Sequence, residues 1–231
     1  MNPIIDRVLE LLEKIQQKLD EIVRLINAVL RTIPVYLSWI ADRVKDAWDT
    51  TMQKIKEMWD WLADKLSYVG NPFVLNGAAD GWKKMGGQVS RINDTIVDAN
   101  LSVDDRWAGR AADQYQQSLE PQRRANTSIM SDYAENIGNA MSGLAVAITV
   151  FWGAVAVAII TLLSALAGAA VATGTIIGLP AVPVLVGLGI AGFLVAAGAG
   201  VAILYVSAGQ ARTTMTSTSA GITTWPSIAT A

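Results

Sequence analysis

Apolar residues recur every three or four positions from the start of the chain: Ile4, Val8, Leu11, Ile15, Leu19, Ile22, Ile26, Val29 and Ile33. Beyond Pro34 the series resumes in phase as Leu37, Ile40, Val44, Trp48, Met52, Ile55, Trp59, Leu62, Leu66 and Val69. That step keeps one face of a helix apolar, so residues 1–70 are predicted to form a long amphipathic coiled-coil region. The remaining faces carry ten Lys/Arg and eleven Asp/Glu up to Gly70. Pro34 either kinks one long helix or starts a second one after a turn. The apolar phase passes through unbroken, and Arg31–Tyr36 holds no Gly, Asn or Asp. The kinked rod, approaching ~100 Å at ~1.5 Å per residue, is therefore the slightly preferred of the two readings. Its stripe needs a cover, supplied by a second copy, a partner or the middle of the chain. Ile15, Ile22, Leu37, Trp48, Ile55 and Trp59 are the candidate oligomerisation positions. Trp39 and Trp61 fall off the stripe and are open to a membrane surface.

Gly70-Asn71-Pro72 and Asn76-Gly77 interrupt the pattern. A new series, Trp82, Met85, Val89, Ile92, Ile96, Ala99 and Val103, leads to turn and cap residues at Ser102–Asp105. After Trp107-Ala108-Gly109 comes another, Ala112, Tyr115, Leu119, Ile129, Tyr133 and Ile137. Residues 71–143 thus read as two helices joined at a Trp-x-Gly turn. Pro121 should kink the second helix near Gln117, and Gly86-Gly87 marks a bend or close packing.

Amphipathicity then vanishes. Leu144–Ala172 is a run of 29 residues whose only polar side chains are Thr149, Thr161, Ser164 and the Trp152 indole, and Val182–Val206 is a second apolar run of 25. About 20 apolar residues suffice to cross ~30 Å of hydrocarbon, and neither run has the polar face of a soluble helix. Gly174, Gly178, Pro180 and Pro183 break the chain between them. Residues 144–207 are predicted to be a transmembrane helical hairpin with both termini on one side. Arg123, Arg124 and Arg212 flank it, and its loop has no charge. Ser164, Gly168 and Ala172, and Gly192, Ala196 and Gly200, repeat every four positions. Such small residues let helices approach closely in lipid, within the hairpin or between copies. Residues 208–231, mostly Ser, Thr and Ala, read as a flexible tail.

Composition narrows the chemistry. The 231 residues include no His and no Cys, which removes the usual general base, thiolate nucleophiles and disulfides. No cofactor and no metal site are expected. A net charge of −2 gives no nucleic-acid footprint. Not one Asp, Glu, Lys or Arg occurs in the 76 positions between Glu135 and Arg212. The carboxylate pairs Asp104-Asp105, Glu10 with Glu13 and Asp42 with Asp46 read as solvated charge. With no P-loop or nucleophile elbow, the chain is not expected to be an enzyme.

Over about residues 76–140, Trp107-Ala108-Gly109 between two amphipathic helices resembles the WXG-motif family of type VII (ESX) secretion substrates. The resemblance implies a helical hairpin in which Trp107 fills a groove between the helices or on a partner, while Gly109 lets the chain turn past it. The export signal Tyr-x-x-x-Asp/Glu, usual in that family or its partners, is absent. Four residues after Tyr36, Tyr68, Tyr115, Tyr133 and Tyr205 stand Ile40, Pro72, Leu119, Ile137 and Gly209. A WXG-family partner would then carry the signal, the type VII secretion machinery is the other expected partner, and the protein would be secreted before insertion. The expectation is an all-α protein that self-associates and inserts into a lipid bilayer as an effector or pore component of a type VII system. The alternative is a non-catalytic, membrane-anchored scaffold assembling through its amino-terminal coil.

Overall fold

The computed structural model describes residues 3–67, 70–101, 106–174 and 177–221. Val69, Val103, Asp104, Asp105, Thr175, Trp225 and Pro226 lie outside them. Among the described residues every regular element is helical, in agreement with the all-α expectation. The chain divides into two compact bodies, Met1–Gly70 with Ile148–Leu204, and Asn71–Ala147 with Tyr205–Ala231. The break at Gly70 is where the sequence places it. The rest of the division does not follow the linear order of segments, because the apolar hairpin groups with the amino-terminal coil.

In the first body, α1 (Pro3–Leu30) and α2 (Ser38–Ser67) are separate helices, which corrects the kinked rod. Thr32 supplies the stop. Its backbone N–H and its hydroxyl both donate to the Val29 carbonyl, at 2.9 and 2.7 Å. Pro34 is extended (φ −63°, ψ 149°), and the Leu37 N–H donates to the Pro34 carbonyl to open a single 3₁₀ turn. Gln16, Leu19 and Asp20 of α1 then line one groove with Met52, Ile55, Lys56 and Trp59 of α2, so α2 folds back along α1.

The α1 stripe is buried as its spacing predicts, at Val8, Leu11, Ile15, Leu19, Ile22 and Ile26, with Leu12 added. In α2 the buried set is Val44, Thr51, Ile55, Met58 and Leu62, so Thr51 and Met58 replace the predicted Met52 and Trp59. The Thr51 hydroxyl donates to the Ala47 carbonyl at 2.8 Å, which lets it face inward at little cost. The outer faces carry ion pairs such as Lys14–Glu10 (2.8 Å), Lys18–Glu21 (2.6 Å) and Lys54–Glu57 (2.7 Å). Hydrogen bonds from Lys14 and then Arg7 hold the Glu10 carboxyl below its usual range, and one from Lys18 does so for Glu21.

The second body begins with α3 (Pro72–Ser90). Asn71 caps it by accepting from the Phe73 and Val74 N–H groups at 3.0 and 3.4 Å, and Pro72 occupies the first turn, where no N–H partner is needed. After a 3₁₀ turn and the short α4 (Asp98–Leu101), α5 (Arg110–Ser128) carries Pro121 without ending. A π-helical stretch, Ile129–Ala134, links α5 to α6 (Glu135–Ala172), and α7 (Ala181–Gly221) returns. Two boundaries are corrected here. Helix runs unbroken through residues 143–144, and it also continues past Val206 to Gly221. The supposed flexible tail is helical that far, and its hydroxyls bond back to their own helix. Thr213 donates to the Gly209 carbonyl (3.0 Å) and Ser219 to the Met215 carbonyl (2.8 Å). Ala211 and Thr218 are buried, and Gln210 and Thr214 share a groove with Asn136 and Asn139.

Candidate functional site

The apolar hairpin of the first body has an inner and an outer face, and both are apolar. Inside lie Phe151, Trp152, Val155, Ile159, Leu162 and Leu166 of α6, with Val186, Ile190, Phe193 and Ala197 of α7. The helices meet through two glycines. A Cβ on Gly189 would stand 2.7 Å from the Ala165 Cβ, and one on Gly200 would stand 3.3 Å from the Ala154 Cβ. Both glycines are eleven residues apart, as are their partners, which is three turns of two antiparallel helices. Of the sequence candidates, Gly200 alone sits in this seam, and Ala196 is half-buried. Ser164, Gly168 and Gly192 lie on the outer face, and nothing stands within 4 Å of a Cβ added to Gly168 or Gly192. They do not pack the hairpin.

The outer face also presents Val157, Ile160, Leu188, Val195 and Ile203. Its hydroxyls are satisfied internally: Thr161 donates to the Val157 carbonyl and Ser164 to the Ile160 carbonyl, both at 3.0 Å. A surface without unmet polar groups is what hydrocarbon tolerates. Two helices, α6 and α7, are long and apolar enough to cross a membrane by length and composition. At the apex the buried Thr173 donates its hydroxyl to the Ala170 carbonyl (2.6 Å), and Leu179 is buried in the chain's return.

α2 lies along this hairpin. Trp39, Ile40, Arg43, Val44 and Ala47 share a groove with Pro180 at the apex. Further along, the Trp61 ring meets Phe193 edge-on, centroids 5.9 Å apart. A Cβ on Gly70 would stand 2.9 Å from the Ile148 Cδ1. The coil stripe is therefore consumed inside the chain. Ile15, Ile22 and Ile55 are buried, and Leu37, Trp48 and Trp59 are half-buried. In this conformation they are not a free oligomerisation face. The break at Pro34 is the cause, because it lets the two halves fold back.

In the second body, α3 packs antiparallel on α5 and α6. Trp82 meets Tyr133 edge-on (5.8 Å), Gly86 faces Met130 and Ala134, and Gly138 faces Ala79 and Lys83. Toward the Trp-x-Gly end the contact turns polar. Asn126 is buried, donating to the Asn93 Oδ1 (2.9 Å) and accepting from the Gln122 Nε2 (2.8 Å). Asn93 donates to the Arg123 carbonyl (3.0 Å), and the Arg123 guanidinium reaches the Ile96 carbonyl. This amide cluster escaped the sequence reading, although it leaves a trace there: the apolar series lapses between Leu119 and Ile129.

Trp107 does not fill a groove between the helices. It is half-exposed, with its ring on Tyr115 (5.6 Å). Gly109 does what the turn requires, at φ 99° and ψ −176°, a conformation nearly closed to other residues. Its carbonyl opens α5 by accepting from the Ala112 and Asp113 N–H groups at 2.8 and 3.1 Å. Comparison with family profiles, characterised proteins and solved structures gives no match to this chain.

Proposed function

We propose that this protein inserts its α6–α7 hairpin into a lipid bilayer as a type VII secretion-associated effector or membrane component. The observation that carries the reading is the hairpin's outer face. It is apolar and uncharged, its hydroxyls bond to their own helix, and its two helices already meet through Gly189 and Gly200. A water-facing helix pair would place polar residues there. The Trp-x-Gly turn, with Gly109 held at positive φ and Trp107 half-exposed, supports the type VII assignment and leaves the indole able to meet a partner that carries the export signal.

Insertion would displace α2 from the hairpin, and with it α1, which packs along α2. Phe193 lies twelve residues into α7, or ~18 Å from its start, and Ile148 lies ~36 Å from the end of α6. The contacts from Pro180 to Ile148 therefore run over the depth of a ~30 Å hydrocarbon layer. Between Ile40 and Trp61, α2 carries nine charged residues. Near a bilayer centre each costs about 2.5–3.5 kcal/mol. A few of them outweigh an edge-on ring contact such as Trp61–Phe193, worth about 0.5–1.5 kcal/mol beyond its buried area. The closed body is thus a sheathed form, and the hairpin spans once α1 and α2 leave.

The test uses the absence of native cysteine. Trp61→Cys with Phe193→Cys, joined by a short cleavable thiol cross-linker, should float with vesicles but be stripped by alkaline carbonate. Cleaving the linker should make the same protein resistant. Carbonate resistance of the cross-linked protein would refute the sheath.

The second reading, an anchor for a scaffold, is favoured by one observation: the hairpin has no polar stripe to line water. Dye retention in vesicles that hold the inserted protein would select it, and dye release would select the permeabilising effector.

A further inference from the structure

The turn between α1 and α2 and the apex of the apolar hairpin stand at the same end of the first body, because Trp39 and Pro180 line one groove. That end is apolar and open. Val35 is 91% exposed, Tyr36 79%, Trp39 58% and Ile177 94%. Water-facing ends of helical bundles carry polar turn residues, whereas here neither Val35-Tyr36-Leu37 nor the hairpin loop contains a charge.

We infer that this tip is a lipid-docking surface that meets the bilayer before the hairpin inserts, with the Tyr36 phenol and Trp39 indole at headgroup level and Val35 and Ile177 below them. The inference rests on the membrane reading above. Three features name lipid as the occupant. Tyr and Trp are the side chains that favour the boundary between headgroups and acyl chains. The tip is continuous with the apolar outer face of the hairpin, through Val171 and Val184, both exposed. It also contains the apex, which is the part of a hairpin with both termini on one side that has to enter first. Arg31 and Arg43, both exposed, flank the tip and can reach phosphates.

The full-length protein is mixed with phosphatidylcholine vesicles containing phosphatidylglycerol, and bound protein is separated by flotation. Val35→Ser with Tyr36→Ser and Ile177→Ser should lower partition at least about ten-fold while helical content is kept, since all three side chains are already mostly in water. A polarity-sensitive fluorophore on Val35→Cys should shift to the blue and be quenched by nitroxide lipids, and one on Gln53→Cys, on the exposed face of α2, should do neither. Unchanged partition of the serine variant, or a Val35 probe that stays in water on bound protein, overturns the docking tip and leaves the membrane reading standing. A wild-type protein that binds no vesicles overturns both.

Discussion

Gly86 and Gly87 are adjacent in α3, and the structure gives them opposite answers to one methyl group. A Cβ on Gly86 would stand 2.4 Å from the Ala134 Cβ, 3.0 Å from the Met130 Sδ and 3.2 Å from the Met130 Cα. The sulfur can swing aside. The Ala134 Cβ and Met130 Cα cannot, because one is fixed to the backbone and the other belongs to it. Ordinary contact would need the helices to part by ~1 Å, which would loosen the Trp82–Tyr133 contact next to them. Overpacking of this kind costs about 1–3 kcal/mol, and replacing a mid-helix glycine by alanine returns about 0.5–1 kcal/mol. Gly86→Ala should therefore destabilise this body, by up to about 2.5 kcal/mol. Gly87 has nothing within 4 Å, so Gly87→Ala should stabilise by the propensity gain alone. Hydrogen exchange over residues 72–94 of the full-length protein reads both, at about ten-fold in protection per 1.4 kcal/mol. If both variants gained or both lost protection, the close approach of the π-helical stretch to Gly86 would be refuted.

The same contrast exists in the apolar hairpin. Gly189→Ile, with Ala165 and Leu162 at 2.7 and 3.0 Å from its Cβ, should lower the melting midpoint in detergent, and Gly192→Ile, with open space, should leave it nearly unchanged. At the Trp-x-Gly turn, Gly109→Ala meets no neighbour within 4 Å, so its cost should be backbone strain alone, about 1–3 kcal/mol. That loss should appear as faster exchange at the Ala112 and Asp113 amides, which Gly109 caps.

Several elements were legible from residue order. Steps of three and four placed α1 and buried its stripe from Val8 to Ile26. The chargeless run gave α6 and α7, and the Trp-x-Gly tripeptide located a real positive-φ glycine. These readings hold because each depends on neighbours within about one helical turn, or on a composition that no fold can alter.

What stayed hidden was which face meets which. In α2, Met52, Ile55, Met58, Trp59, Trp61 and Leu62 cover a wide arc. Only its two neighbours, α1 and the apolar hairpin, decide that Thr51 and Met58 turn inward. In α6 and α7 nearly every position is apolar, so neither helix has a polar side to fix its rotation. Small residues recur at so many spacings that the seam at Gly189 and Gly200 cannot be told from the outward Ser164, Gly168 and Gly192. The fold-back at Pro34 likewise rests on a hydroxyl bond from Thr32 and on an apolar surface more than a hundred residues away. Sequence order determined that the helices exist and that one pair suits lipid. Tertiary packing decided that α2 lies against the apolar pair, because burying a stripe requires a partner and periodicity does not say which.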